Sequence, residues 1–359
     1  MDATLRSELA VRGIRSGAPP VRRRAGAGPS DDGHWKLRSA AACPSAAIPV
    51  QPDSPFEVMA DGTITRDGIV VEDAMLEPVE RPAFYDLRTE DGVPYEQLAR
   101  LHGANVLATT VVQTCIRYTA EDTRCRFCTI EESLQRGATT QVKFPEQLAE
   151  VAEAAVRLDG VTQMVMTTGT SNGPDRGAKH LAKCVAAVKA RVPGLPIQVQ
   201  IEPPLELGWI DALRQAGADA IGIHVESLDQ AVRERWTPGK ATVPLARYDE
   251  AWTEAVRVFG PNAVSTYLIV GLGEDPDELV AGAQRLIDMG VYPFVVPYRP
   301  LEGSLAHDVD DVPAPLPLQL LGITERVASA LRAAGMTGAA QRAGCAACGA
   351  CSALQAAGG

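Results

Sequence analysis

No run of 18 or more apolar residues occurs in this 359-residue chain, which excludes a membrane-spanning helix. No apolar stretch follows the arginines of "VRRRAGAGPSDDG", residues 21–33, so the arm does not read as a secretory signal. Net positive charge is also missing: at −11, the chain offers neither a nucleic-acid face nor an affinity for anionic membranes, which leaves a small molecule as the expected partner. A repeat of fixed period is absent beyond an alternation of strands and helices. Together these absences predict a soluble, cytoplasmic protein. Thiols stay reduced there, so clustered cysteines read as metal ligands or catalytic groups rather than disulfides.

What is present is unevenly distributed. Residues 1–40 carry eight Lys+Arg against four Asp+Glu, a net +4, leaving −15 for the remainder. With seven prolines before residue 56, segment 1–55 predicts an irregular, partly disordered arm. Residues 56–104 predict a small extension with a hairpin turned at Asp-Gly pairs ("FEVMADGTITRDGIVVED"). From 105 to 312, "NVLATTVVQT", "TQMVMTTGT", "IQVQIEPP", "ADAIGIHVES", "NAVSTYLIVGLGE" and "VYPFVVPYRP" read as strands separated by helical stretches. Near-continuous apolar strands alternating with helices predict an α/β fold, a partial (β/α)6 TIM-type barrel of parallel strands. Residues 313–359 predict a closing helix and a Cys-rich tail. Polar strand ends ("TTGTSNG", "EPP", "HVES", "GLGED", "YRPLEG") mark the face on which barrels carry their active sites.

Six of the eight cysteines form two triplets, Cys115/Cys125/Cys128 and Cys345/Cys348/Cys351, while Cys43 and Cys184 stand alone. Three thiolates on one loop hold three irons of a [4Fe–4S] cluster and leave the fourth open, and three plus a histidine would equally satisfy zinc. Spacing leaves both readings open. A nine-residue gap before Cys125 and the lack of a histidine within the loop fit paired zinc knuckles poorly.

The "CRFC" motif after the first barrel strand resembles the radical S-adenosylmethionine (radical SAM) superfamily. "LIVGLGED" and "VPYRPLEGSLA" are similar to the fifth- and sixth-strand segments of the biotin and lipoyl synthases, and "LRQAGADAIGIHVES" to the passage before them. The whole loop, "QTCIRYTAEDTRCRFCTIEES", looks most like an uncharacterised branch found in bacterial nitrilase-type gene clusters. The superfamily's usual spacing is C-x3-C-x2-C and this chain has C-x9-C-x2-C, but loop length costs little entropy.

This resemblance implies an enzyme with a [4Fe–4S] cluster on Cys115, Cys125 and Cys128 that cleaves S-adenosylmethionine (SAM) to a 5′-deoxyadenosyl radical. The radical would abstract hydrogen from a small polar substrate, and an electron donor such as flavodoxin or ferredoxin would supply the electron. It further implies that Phe127 packs near the adenine and that Thr168, Gly169 and Thr170 replace the family's Gly-Gly-Glu segment, without its acid. Glu202 would face the ribose or the amino group, Glu226 the ribose and substrate, and Gly271 and Gly273 the adenine. His224, Glu226, Tyr298 and Arg299 are the candidate catalytic residues facing substrate. Each also has a plain structural reading: a packed histidine, a capping glutamate, glycine turns, an Arg299–Glu302 ion pair. Cys345-x2-Cys348-x2-Cys351 matches the first part of a ferredoxin run but lacks the fourth cysteine and proline. It predicts either an auxiliary iron–sulfur cluster, whose fourth ligand is Cys43, a substrate atom or absent, or a zinc-binding or reactive tail. Biotin-synthase-like sulfur insertion and a non-catalytic zinc or iron–sulfur scaffold are the alternative functions.

Overall fold

Strands appear within the first 80 residues despite their prolines, because each is only two to ten residues long and the prolines fall between them or, as Pro78 does, at a strand end. The computed structural model describes residues 1–17, 34–38, 45–307 and 315–358. Strands β1 (Arg15–Ser16), β2 (His34–Leu37), β3 (Ser45–Ala47), β4 (Phe56–Val58), β5 (Thr63–Arg66) and β6 (Ile69–Pro78) form one sheet in the order β1-β4-β5-β6-β2-β3. The expected hairpin is there: Arg66 pairs with Ile69 across Asp67-Gly68, whose φ values of 51° and 82° suit a two-residue turn. The expectation of an irregular arm is corrected over its described part. Helix Ala3–Arg12, capped by Asp2 accepting from the Leu5 N–H, packs with β1–β3 around a core of Leu9, Ile14, Trp35, Ile48 and Phe56.

The second sheet holds β7 (Arg100–His102), β8 (Val106–Thr110), β9 (Gln163–Thr167), β10 (Ile197–Ile201), β11 (Ala220–Ile223), β12 (Val264–Val270) and β13 (Val291–Pro297), in the order β13-β12-β11-β10-β9-β8-β7. Strands β8 to β13 are parallel, and all six coincide with the apolar runs read from the sequence. The wholly parallel expectation is corrected at the edge: β7 folds back antiparallel on β8 through a turn at Gly103, so the sheet begins before residue 105.

Helices Pro145–Asp159, Ala178–Arg191, Gly208–Gln215, Leu245–Phe259 and Pro276–Asp288 cover the outside, where Val151, Leu181, Leu213, Trp252 and Leu286 are fully buried. Local chemistry sets their ends. Asp275 accepts from the Asp277 and Glu278 N–H groups just before Pro276, and Gly160 ends its helix in the left-handed conformation. Two short helices after β11, Gln230–Trp236 and Pro238–Ala241, lie outside the sequence reading. Helix Pro317–Ala333 packs on Pro276–Asp288 and on Ala3–Arg12, as the closing element. Among the described residues, no helix is long and apolar enough to cross a membrane.

Candidate active site

Because side chains alternate along a strand, Gln198, Gln200 and Glu202 follow one face of β10, and Gly222, His224 and Glu226 one face of β11. This is the inner face: the Gln198 amide donates to Ser265 Oγ on β12 at 3.2 Å, and His224 stacks on Tyr267 with centroids 4.0 Å apart. Each row runs from neutral polar groups inside to a carboxylate at the strand's C-terminal end.

The loop carrying Cys115, Cys125 and Cys128 lies over these ends and is pinned along its length. The Ile116 N–H donates to Thr170 O at 3.0 Å, Gly239 N–H to Thr123 O at 3.1 Å, and Arg126 N–H to Trp236 O at 2.8 Å. Arg124 lies 3.7 Å over the Tyr118 ring and donates to the carbonyls of Cys128 and Gly303. The cysteine-to-cysteine gap is therefore structured by its own cation–π contact rather than looped out. Burial pushes the Cys125 thiol well up, Lys240 opposing, and pushes Cys128 up to about 11. Thiols held in this way become thiolates when a metal takes the proton's place, so the donor set fits an iron-binding role. The group of His, Cys, Asp and Glu ligand atoms lying within 4.8 Å of one another among the described residues is elsewhere, at His34, His102 and Cys351. These three cysteines are not gathered as tightly as one zinc ion requires.

Two ion pairs line the mouth beside the cysteines. Arg117, two residues after Cys115, reaches Glu202 with Nη2 at 3.1 Å and Nε at 3.4 Å, and Glu202 is buried. Lys240 donates to both oxygens of Glu226, each at 2.8 Å, and to the His224 carbonyl at 3.0 Å. Burial opposes the Lys240 charge, yet Glu226 beside it holds the pKa well above the usual lysine value; burial likewise lifts Glu226, with Lys240 pulling it down. Glu226 has φ of 65°, an uncommon value for a side chain of its size, and its carbonyl accepts from Ile269 N–H.

An aromatic cluster supports the loop from below. Phe127 stacks on Trp236 at 6.5 Å, Trp236 meets Tyr298 at 5.0 Å, and the Trp236 indole donates to Leu272 O at 2.6 Å.

Other expected residues have structural work in this arrangement. Gly169 leaves no room for a side chain, since a Cβ would lie 2.0 Å from Thr114 O; Thr168 Oγ1 donates to Gly169 O, and Thr170 holds Ile116. The Gly271 and Leu272 N–H groups donate at 2.8 Å to the buried Glu274 carboxylate, while Gly273, with φ of 98°, faces open space. Tyr298 is packed, its hydroxyl 3.5 Å from Ala306 O, and burial pushes its pKa to about 12. Arg299 donates to Ala47 O of β3 at 2.7 Å, and Glu302 pairs with Arg136. His224 is neutral: burial, then Lys240, holds its pKa down at about 3, and Nδ1 accepts from the Tyr267 N–H.

The tail triplet divides. Cys345 enters the barrel interior, 2.8 Å from Tyr267 OH and 3.3 Å from Gln200 Nε2, whereas Cys351 approaches His102. Cys43 lies outside the described residues. Sequence reading missed Arg117, Trp236, Lys240 and Glu274; of these, Arg117, inside the cysteine motif, and Glu274, inside "GLGED", carried a positional signal.

Residues 120–286 match the model of the radical SAM superfamily, a range that takes in Cys125 and Cys128 and begins five residues after Cys115. Lipoyl synthase of Thermus thermophilus is 29% identical over 171 residues, covering 46% of this chain and 50% of that protein. Bacteriochlorophyllide c C-7(1)-hydroxylase of Chlorobaculum limnaeum is 26% identical over 223 residues, covering 57% and 54%. The chain spans about half the length of these curated relatives. A crystal structure of methylornithine synthase overlaps 68% of this chain and 71% of its own at 15% identity, with a TM-score of 0.48. Residues 120–286 are thus the part of this chain that is similar to the radical SAM superfamily.

Proposed function

We propose that this protein binds a [4Fe–4S] cluster through Cys115, Cys125 and Cys128 and cleaves SAM to start hydrogen abstraction from a small polar substrate. The observation that carries the reading is the pairing of a pinned three-cysteine loop with two oriented carboxylates, Glu202 and Glu226, at the strand ends. When bound, cluster and SAM would supply reductive cleavage of the sulfonium to methionine and a 5′-deoxyadenosyl radical.

The chain's own residues then have definite tasks. Arg117 occupies one edge of Glu202 and leaves that carboxylate's remaining lone pairs for the methionine ammonium, the role of the acid missing from Thr168-Gly169-Thr170. Lys240 spends its three donors on Glu226 and His224 O, which aims Glu226 as an acceptor for ribose hydroxyls. Phe127 on Trp236 provides an apolar wall that keeps water from the reacting region. Gly273, without a side chain and open to solvent, permits close approach of the adenine. Flavodoxin or ferredoxin is the proposed electron donor, and membership of the nitrilase-cluster branch is part of the same proposal.

Sulfur insertion, the alternative, requires Cys345, Cys348 and Cys351 to share a sacrificial cluster. The separate surroundings of Cys345 and Cys351 favour radical generation without it.

The test is anaerobic reconstitution with iron and sulfide, reduction with dithionite, and quantification of 5′-deoxyadenosine after SAM addition. The parent should produce it and Cys125→Ala should not. A fully iron-loaded parent that yields none across a panel of small polar substrates would overturn the proposal.

A further inference from the structure

β7 and β13 are the edge strands of the second sheet, and the tail reaches both. Ser352 Oγ donates to Val295 O of β13 at 2.6 Å, while the preceding residue, Cys351, puts its Sγ 3.7 Å from Nε2 of His102, the last residue of β7. The N-terminal sheet closes on the same seam. The Ala47 N–H of β3 donates to Ala350 O at 2.9 Å, and the buried Arg6 donates to Gly349 O at 3.0 Å. Ala47 is the register partner of His34 on β2, which brings the His34 ring to 4.3 Å from that of His102, at 66°.

Three side chains from residues 34, 102 and 351 thus converge, with one nitrogen from each imidazole and the Cys351 sulfur all within 4.8 Å of one another. His34 and Cys351 are buried, and His102 is half-buried. Zinc bound to sulfur at about 2.3 Å and to imidazole nitrogen at about 2.05 Å, at a tetrahedral angle, sets those two donors roughly 3.6 Å apart. The Cys351–His102 separation of 3.7 Å already has that value. A cubane cluster spreads its thiolates over separate irons, whereas two imidazoles and one thiolate at this spacing suit a single borderline-soft ion.

We infer that His34, His102 and Cys351 form a structural zinc site that clasps the N-terminal sheet, the β7 edge and the tail. The fourth position is open to water or, after a side-chain rotation, to Cys348. The Cys348 Sγ lies 3.4 Å from the point where a Cβ on Gly103, the residue after His102, would sit. The inference is independent of the radical reading, because none of its ligands lies on the Cys115–Cys128 loop. By fixing Cys351, the ion also holds Cys345 in the barrel interior against Tyr267 and Gln200. Chelation would release both ends of that connection.

The experiment is metal analysis of the cluster-loaded full chain, with zinc K-edge X-ray absorption on the same sample. The parent should hold one zinc per chain beyond its iron, in a shell of two imidazoles and one or two sulfurs. His102→Ala and Cys351→Ser should each reduce retained zinc at least tenfold, with iron and sulfide unchanged. Parallel loss of iron and sulfide would reassign these residues to a second cluster and overturn the inference. Zinc retained undiminished in both variants, or no zinc in the parent after growth in zinc, would overturn it as well. If the variants fail to fold, the parent's absorption spectrum decides: a shell of sulfur alone, or one without sulfur, sinks the proposal.

Discussion

Lys240 sits 2.8 Å from each carboxylate oxygen of Glu226 and shares its field with Cys125. Glu226 is buried and Lys240 half-buried, so the pair is far costlier to break than to replace. Lys240→Met should destabilise the protein by about 3–5 kcal/mol in anaerobic urea unfolding, because it strands a buried carboxylate. Adding Glu226→Gln should recover much of that loss. Equal destabilisation of the single and double variants would show that the pair is not coupled.

Gly169 tests how the cysteine loop is seated. An added Cβ would meet Thr114 O at 2.0 Å, next to Cys115, and neither group can yield without shifting backbone. Gly169→Ala should cut iron incorporation on reconstitution several-fold. Gly194→Ala, with nothing within 4 Å, should leave it unchanged. Equal iron loading in the two variants would mean that the contact does not set the loop.

Much of this arrangement was legible because buried parallel strands are continuous apolar runs, and because "QVQIE" alternates so that Glu202 must follow Gln198 and Gln200 inward. Lys240 and Trp236 were not legible. They sit on helices of four and seven residues, too short for a 3.6-residue period to register. The N-terminal sheet was hidden for the same reason, since β1 to β3 contain two to four residues each. His34 and His102 meet only through tertiary packing, which no local pattern encodes. At "GLGED" the glycine turn was visible, but the return of Glu274 onto its amides was not.

Glu274 makes that turn a measurable unit. Its carboxylate accepts the Gly271 and Leu272 N–H groups, both at 2.8 Å, and is itself buried. Glu274→Ala leaves two amide donors without their acceptor, at about 1–3 kcal/mol each. Thermal unfolding should register the loss, and Glu274→Gln, which keeps one acceptor, should fall between parent and alanine variant. An alanine variant as stable as the parent would show that water substitutes fully.

His224 should give the protein an acid-sensitive term of known sign. Burial, then the Lys240 charge, depresses its pKa from 6.5 to about 3, so between those values the unfolded chain binds a proton that the folded chain refuses. Stability from this group is therefore constant above pH 6.5 and falls as pH drops toward 3. The slope is at most about 1.4 kcal/mol per pH unit, reduced by the solvent that reaches the half-buried ring. Asparagine in its place cannot titrate, and its side-chain oxygen can still accept the Tyr267 N–H that His224 Nδ1 now accepts. The difference in unfolding free energy between the parent and His224→Asn should consequently be flat from pH 8 to 6.5, then narrow or reverse on acidification as the parent alone loses stability. A difference that stays constant down to pH 4 would mean that the imidazole takes up its proton without penalty, which its stacking on Tyr267 and the nearby ammonium argue against.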